Sequence, residues 1–330
     1  MVELGYALSS EEHAPNDLVR YARAAEQAGF EFALASDHFH PWVDRQGESP
    51  FVWAVLGGIA QATEALRVGT GVTCPLIRTH PAIVAQAAAT AASMMPGRFF
   101  LGLGTGENLN EHIFGDRWPA GHVRLEMLEE AIEVIRLLWQ GGYQSHDGKH
   151  YRLEEARLYT LPDELPPIAV AAAKQGAAAL AGRAGDALVA VAPDEELVAA
   201  FHAAGGDDKP LYGQVTVCWA DSEEEARRTA HEWWPTAAVP GDLSQELPLP
   251  RHFEQAAQAV SEEDVAEAVV CGPDPDAHLA KIREFADAGF DHVYVHQIGP
   301  DQEGFFEFYE REILPRVAGV NPRRAVARMR

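Results

Sequence analysis

The chain has 330 residues, with 26 Lys and Arg against 50 Asp and Glu, and a formal charge of −24. At 47% hydrophobic residues it can bury a large core, which excludes wholesale disorder, and its acidity excludes broad binding to nucleic acid or to an anionic membrane surface. Cys74, Cys218 and Cys271 lie far apart, so neither a disulfide framework nor a CxxC metal site is expected.

Short apolar runs alternate with amphipathic segments from the start. Gly5–Leu8 reads as a first strand, followed by a helix over Asn16–Ala28 that Gly29 stops. Phe32–Ser36 is a second strand and Phe51–Glu64 its helix; Arg67–Val72 is a third and Pro81–Met94 its helix. Phe99–Leu103 is a fourth strand. The helix after it places Leu125, Leu128, Ile132, Ile135 and Trp139 on one face. A polar excursion over Gly141–Tyr159 suits a small hairpin. The rhythm then resumes with strands at Ile168–Ala171, Ala187–Val191, Tyr212–Trp219 and His292–His296. Their helices fall at Ala177–Arg183, Glu195–Ala203, Glu223–Trp234 and Phe305–Ile313, with another at Asp276–Ala288 before the last strand. The Pro-rich stretch Pro235–Pro250 reads as an inserted loop.

Eight buried strands, each with a helix, predict an α/β fold, a (β/α)8 TIM barrel with insertions. The alternative, an open doubly wound sheet, lacks an early dinucleotide fingerprint. The expected organisation is one domain over 1–330, with the barrel at about 4–317, inserted segments near 141–159 and 235–272, and a basic tail at 318–330. Met1-Val2-Glu3-Leu4-Gly5 has no leader-like start, and Pro81–Met95 is too short and small-residued to span a membrane. The expected location is the cytoplasm.

A barrel carries its chemistry at the carboxyl ends of its strands. Those ends read Ser36-Asp37-His38-Phe39-His40-Pro41-Trp42 after strand two and Gly69-Thr70-Gly71-Val72-Thr73-Cys74-Pro75 after strand three. After strand four comes Gly102-Leu103-Gly104-Thr105-Gly106-Glu107-Asn108-Leu109-Asn110, and after strand eight His296-Gln297-Ile298-Gly299. Asp37-His38 joins a carboxylate to an imidazole suited to proton transfer; the structural alternative is a helix cap beside a loop histidine. His38 and His40 find no third ligand with metal spacing, so no metal is expected. His292 is expected at the barrel-bottom surface and His296 in the site. The glycines of 102–106 permit close approach of a flat ring or a phosphate, or serve barrel packing alone. Trp42 is placed to stack on a planar ligand, whereas Trp53, Trp233 and Trp234 read as helix core.

These motifs, with His80-Pro81-Ala82, Ala181–Asp186 and Gly272-Pro273-Asp274-Pro275, resemble the deazaflavin branch of the luciferase-like oxidoreductases. Within it they are most similar to the coenzyme F420-dependent glucose-6-phosphate dehydrogenase group. The resemblance runs from about Leu4 to about Val317. It implies a luciferase-like barrel, usually a homodimer, that binds coenzyme F420 and moves a hydride from a hydroxyl-bearing carbon to C5 of the deazaflavin. For an aldose, that carbon is C1. By position it implies that a neutral His38 takes the hydroxyl proton, that Trp42 lies beside the reacting centre, and that Glu107 is an acid near the ring. Asp37, Gly71, Val72, Cys74, Thr105, Gly106 and Asn110 match cofactor contacts, and Gly71–Val72 matches a cis peptide. Ala173, Lys174, Gly176 and Ala177 match the segment that holds the cofactor phosphate. That segment departs from the family's usual pattern, and Lys174 also reads as a solvated helix-start lysine.

Trp42, Val191, Asp194, Ser244 and Ala268 match substrate positions, and the last three stand where the sugar-phosphate enzymes have phosphate-gripping cations. A carboxylate about 4 Å from a phosphate charge costs on the order of 4 kcal/mol at an effective dielectric of 20, so Asp194 argues against the usual phosphate grip. The expected substrate is therefore a free aldose, then its 6-phosphate, then a simple secondary alcohol. The alternatives are an FMN-dependent monooxygenase, NADP in place of F420, and a cofactor carrier without activity.

Overall fold

The computed structural model describes residues 1–317, 319, 320 and 322; the basic tail read from Arg323 onward lies outside them. Eight parallel strands form the frame: β1 (Glu3–Leu8), β2 (Phe32–Ala35), β3 (Arg67–Thr70), β4 (Phe99–Leu103), β5 (Ile168–Ala171), β6 (Ala187–Ala190), β7 (Leu211–Cys218) and β8 (His292–Gln297). Each pairs with the next, β8 also pairs with β1, and the ring is closed. The open-sheet alternative is thereby excluded.

Alternation along each strand divides the core in two. On β2, Phe32 and Leu34 point inward and join Ala7, Phe100, Val189, Tyr212 and Tyr294 in the barrel interior. Ala33 and Ala35 point outward into the larger layer between strands and helices. The interior rings pack closely: Phe100 stacks on Tyr212 at 5.3 Å and Phe32 meets Tyr212 edge-on at 5.3 Å. They fit because Gly5 and Gly69 lack side chains; a Cβ there would stand 2.4 Å from Phe32 and 2.2 Å from Phe100. His292 belongs to this plug rather than to the surface. It is 8% exposed, packs 4.5 Å from Tyr212 and bonds Asp291 at 2.7 Å, because the barrel bottom is closed by aromatic rings that enclose it.

The helices follow the predicted order. Pro15 opens Pro15–Ala28, and Gly29 ends it in the left-handed conformation at φ 102°. The excursion after the helix Gly121–Trp139 holds an antiparallel hairpin, Gln144–Asp147 with Arg152–Ala156. The stretch read as a loop at Pro235–Pro250 is instead mostly helical. It contains a 3₁₀ turn at Pro235–Ala238 and helices at Gly241–Glu246 and Pro250–Ala256. Pro235 and Pro250 stand in first turns and Pro240 caps the next helix, positions where a missing N–H costs no bond. Helix Glu262–Ala268 and a two-residue strand, Val270–Cys271 beside Val217 and Cys218, complete this insertion over the barrel mouth. Among the described residues no helix is long and apolar enough to cross a membrane.

The packing of rings over glycines carries a prediction. Gly69→Ala should overpack the interior against Phe100 and lower stability by about 1–3 kcal/mol, read as a lower urea midpoint at an unchanged slope.

Candidate active site

Two cavities open at the carboxyl ends of the strands and join. The larger, about 600 Å³, is lined by Asp37, Gly71, Val72, Cys74, Thr105, Gly106, Asn110, Ala173, Lys174, Gly176 and Ala177, every residue matched above to cofactor contact. The smaller, about 310 Å³, is lined by Trp42, Val191 and Ser244, with Trp234, Thr236, Val239 and Phe253 from the insertion and its approach. His38 and Glu107 line both, so they stand at the junction. Gly104 and Gly106 keep the wall of the larger cavity flat: a Cβ would meet Val72 at 2.6 Å and Cys74 Sγ at 2.4 Å, respectively. The Gly71–Val72 peptide bond is cis, as the resemblance implies.

Two expected substrate residues are not brought in. Asp194 is exposed, and its Oδ1 accepts N–H bonds from Glu196 at 2.8 Å and Leu197 at 3.3 Å, so its side chain is folded back as the cap of helix Glu195–Phe201. Ala268, at the end of its helix, lines a separate surface groove with Pro240 and Asp264. The repulsion argued from Asp194 therefore loses its geometric basis.

The loops after β1, β2 and β4 are tied to one another around His38. Ser36 accepts the Ser10 N–H at 2.8 Å and donates to Glu11 Oε2 at 2.6 Å. Asn110 accepts from the Phe39 and His40 amides at 2.8 and 3.2 Å and donates to Glu107 Oε2 at 3.1 Å. His38 Nδ1 lies 3.2 Å from the His40 carbonyl, which can only accept, so Nδ1 carries the hydrogen and Nε2 is the atom that titrates. Nε2 stands 3.3 Å from Glu11 Oε1 and 3.5 Å from Glu107 Oε2.

These neighbours set the proton affinities. Burial lowers that of His38, but the Glu11 carboxylate and then Glu107 outweigh it, so its pKa is raised. Burial pushes Glu11 up, yet His38 and the Ser36 hydroxyl bring its pKa below the ordinary carboxylate value. Burial raises Glu107, His38 opposes this, the Glu11 charge adds to it, and the net shift is upward. Glu11 is thus the standing anion and Glu107 the carboxyl that keeps its proton longer. Glu11 favours the charged form of His38, so the neutral imidazole that can accept a proton is reached at higher pH.

A buried ion cluster fixes the cavity floor. Arg78 donates to Asp37 Oδ1 at 2.9 Å and to Glu111 Oε1 at 3.4 Å, while the Thr73 hydroxyl donates to Asp37 Oδ2 at 2.7 Å. Burial pushes the Cys74 thiol far up, which leaves it a small contact residue and not a nucleophile. Glu11, Arg78, Glu111 and Trp234 escaped the reading of the sequence. Glu11 was within reach, since Ser9-Ser10-Glu11-Glu12 follows β1 just as the recognised motifs follow their strands.

Residues 2–292 match the family described as luciferase-like monooxygenase. An F420-dependent glucose-6-phosphate dehydrogenase of Mycobacterium avium is 36% identical over 96% of this chain and 98% of its own. An F420-dependent hydroxymycolic acid dehydrogenase of Mycobacterium tuberculosis is 40% identical over 94% of this chain and 87% of its own. Among solved structures, an F420-dependent secondary alcohol dehydrogenase in complex with an F420–acetone adduct superimposes with a TM-score of 0.88. It is 29% identical and covers 94% of this chain and 98% of its own. The barrel, the strand-end motifs and these full-length similarities together establish that the chain belongs to the luciferase-like family, in its branch of F420-dependent dehydrogenases.

Proposed function

We propose that this protein is a coenzyme F420-dependent dehydrogenase that oxidises an uncharged hydroxyl compound to its carbonyl. The observation that carries the choice of substrate is the lining of the smaller cavity. Among the described residues it holds Trp42, Trp234, Phe253, Leu8, Leu34, Val191 and Val239 with the carboxyls of Glu11 and Glu107, the imidazoles of His38 and His296 and a few neutral polar groups, but no Lys or Arg. A phosphate placed there would lose its hydration beside the Glu11 and Glu107 carboxyls with no Lys or Arg to grip it, at a cost of several kcal/mol. A free aldose and a secondary alcohol both meet this condition; a sugar phosphate does not.

The larger cavity fits a flat ring with an anionic tail. Its volume is within the usual range for small-molecule sites, and the side-chain-free edges of Gly104 and Gly106 give a ring room to approach. At the other end the helix Gln175–Ala184 begins without a side-chain cap, so its first amides face the cavity beside Lys174. Lys174 bonds Asp242 at 2.6 Å across the cavity and can exchange it for a phosphate. Coenzyme F420, when bound, accepts one hydride.

The chain's own residues manage the protons. The substrate carbon releases a hydride, its hydroxyl proton passes to Nε2 of His38, and a carbonyl remains. Glu11 stabilises the imidazolium that results, and Ser36 holds Glu11 in place. The Trp42 ring lies 5.1 Å from the imidazole and 5.1 Å from Phe253, closing the reacting side against water. Glu107, hydrogen-bonded by Asn110 and with its pKa raised by burial, stands at the junction of the two cavities, where its proton would serve a coenzyme ring that gains negative charge.

Loss of F420 absorbance should follow addition of cyclohexanol or glucose, with kcat/KM for glucose 6-phosphate no higher than for glucose. A strong preference for the phosphorylated sugar would overturn the proposed substrate class, and turnover with NADP or FMN in its place would overturn the cofactor. His38→Ala should lower kcat about 10²–10⁴-fold while F420 still binds, as followed by fluorescence titration. The pH profile gives a separate check. His38 accepts a proton only when neutral, so kcat/KM rises with pH through its pKa. Glu11→Gln removes the charge that raises that pKa, and the rising limb should move to lower pH.

A further inference from the structure

A second histidine stands in the smaller cavity. His296, near the end of β8, lines it together with His38. Its Nε2 lies 2.8 Å from Oε2 of Glu12, and the other oxygen of Glu12 accepts the Gly299 N–H at 3.0 Å. Both side chains are almost wholly enclosed. The topology explains the pairing: β1 lies between β2 and β8 in the ring. The loop after β1 sends Glu11 towards His38 on the β2 side and Glu12 towards His296 on the β8 side. The edge of Trp234 packs on the His296 ring at 4.5 Å and 70°, which fixes its plane.

The hydrogen positions follow from this arrangement. An ionised carboxylate only accepts, so Glu12 places the imidazole hydrogen on Nε2, and Nδ1 of the neutral ring is left with a lone pair. Among the described residues no group bonds Nδ1, and it is not among the sealed, unpartnered polar atoms. It is therefore open to the cavity. We propose that His296, its tautomer set by Glu12, accepts a hydrogen bond from a second hydroxyl of the substrate and so selects diols and polyols over mono-alcohols. This deepens the reading of an uncharged hydroxyl substrate and rests on it.

The test compares F420 reduction with cyclohexanol, the 1,2- and 1,3-cyclohexanediols, and 2-methoxycyclohexanol, whose ether oxygen cannot donate. Wild type should show kcat/KM at least tenfold higher for one of the diols than for cyclohexanol, with the methyl ether no better than cyclohexanol. His296→Phe should collapse the diol-to-alcohol ratio at least tenfold, mainly through KM for the diol. Glu12→Gln is isosteric and preserves the test should His296→Phe not fold. Its amide oxygen keeps the Gly299 bond and its NH₂ donates to Nε2, so the hydrogen moves to Nδ1. The cavity-facing atom then becomes a donor, and the methyl ether should rise above cyclohexanol. A wild type indifferent to the second hydroxyl, or ratios unmoved in both variants, overturns the role of His296 while leaving the dehydrogenase reading in place. Absence of turnover with every hydroxyl compound overturns both.

Discussion

The site is organised by the need of buried charge for a partner. Glu11 is enclosed beneath the cavity, and a carboxylate left alone there would cost several kcal/mol. His38 supplies the opposite charge at 3.3 Å, and the Ser36 hydroxyl supplies a hydrogen bond. That pairing raises the proton affinity of the imidazole, while the His40 carbonyl on Nδ1 leaves Nε2 as the nitrogen that titrates. Glu107 then feels both the burial and the Glu11 charge, which separates the two carboxyls into an anion and an acid. Two glutamates of the same chemistry thus acquire different roles from their surroundings alone.

What was legible in the sequence was local. The β/α rhythm gives eight strands because period and punctuation survive in each short run. The strand-end rule then gives the segments 36–42 and 102–110, because each is contiguous and follows a strand, and the resemblance assigns Asp37, Thr105, Gly106, Glu107 and Asn110 within them. The partners that tune them were not legible. Glu11 meets His38 across 27 positions of chain, and Arg78 meets Asp37 across 41. Neither pairing leaves a spacing signal, since the loop geometry that joins them is tertiary. The insertion failed for another reason. Prolines were read as loop punctuation, whereas Pro235 and Pro250 start helical turns. Asp194 and Ala268 rest on the resemblance alone, Asp194 well before the insertion and Ala268 within it, and the folded chain puts one at a helix cap and the other in a surface groove.

The insertion matters because it forms much of the upper wall. Thr236, Val239, Ser244 and Phe253 come from it, and Trp234 stands just before it. In the proposed reading the barrel below carries the proton chemistry on the loops after β1, β2 and β4, and the covering helices shape what enters. The related dehydrogenases act on compounds as different as glucose 6-phosphate, hydroxymycolic acid and a secondary alcohol, by their names. Such range is consistent with a fixed barrel mouth under a changeable cover, because loops tolerate substitution that a packed strand does not.

The two ends of the larger cavity carry different groups. At the junction stand Glu107 and, behind it, Glu11. At the distal end stand Lys174, paired with Asp242 at 2.6 Å, and Arg124, paired with Glu246 at 3.3 Å and packed 4.3 Å from Trp118. A coenzyme with a phosphate-bearing tail can enter in two senses. With its tail at the junction, the phosphate would face two carboxyls within a buried space. With its tail at the Lys174 end, it meets the cation and the uncapped helix start. The second sense alone places the ring at His38 and Glu107. In a chain of charge −24, the proposed reading therefore gives the Lys174 end the further task of orienting the coenzyme with its ring towards His38.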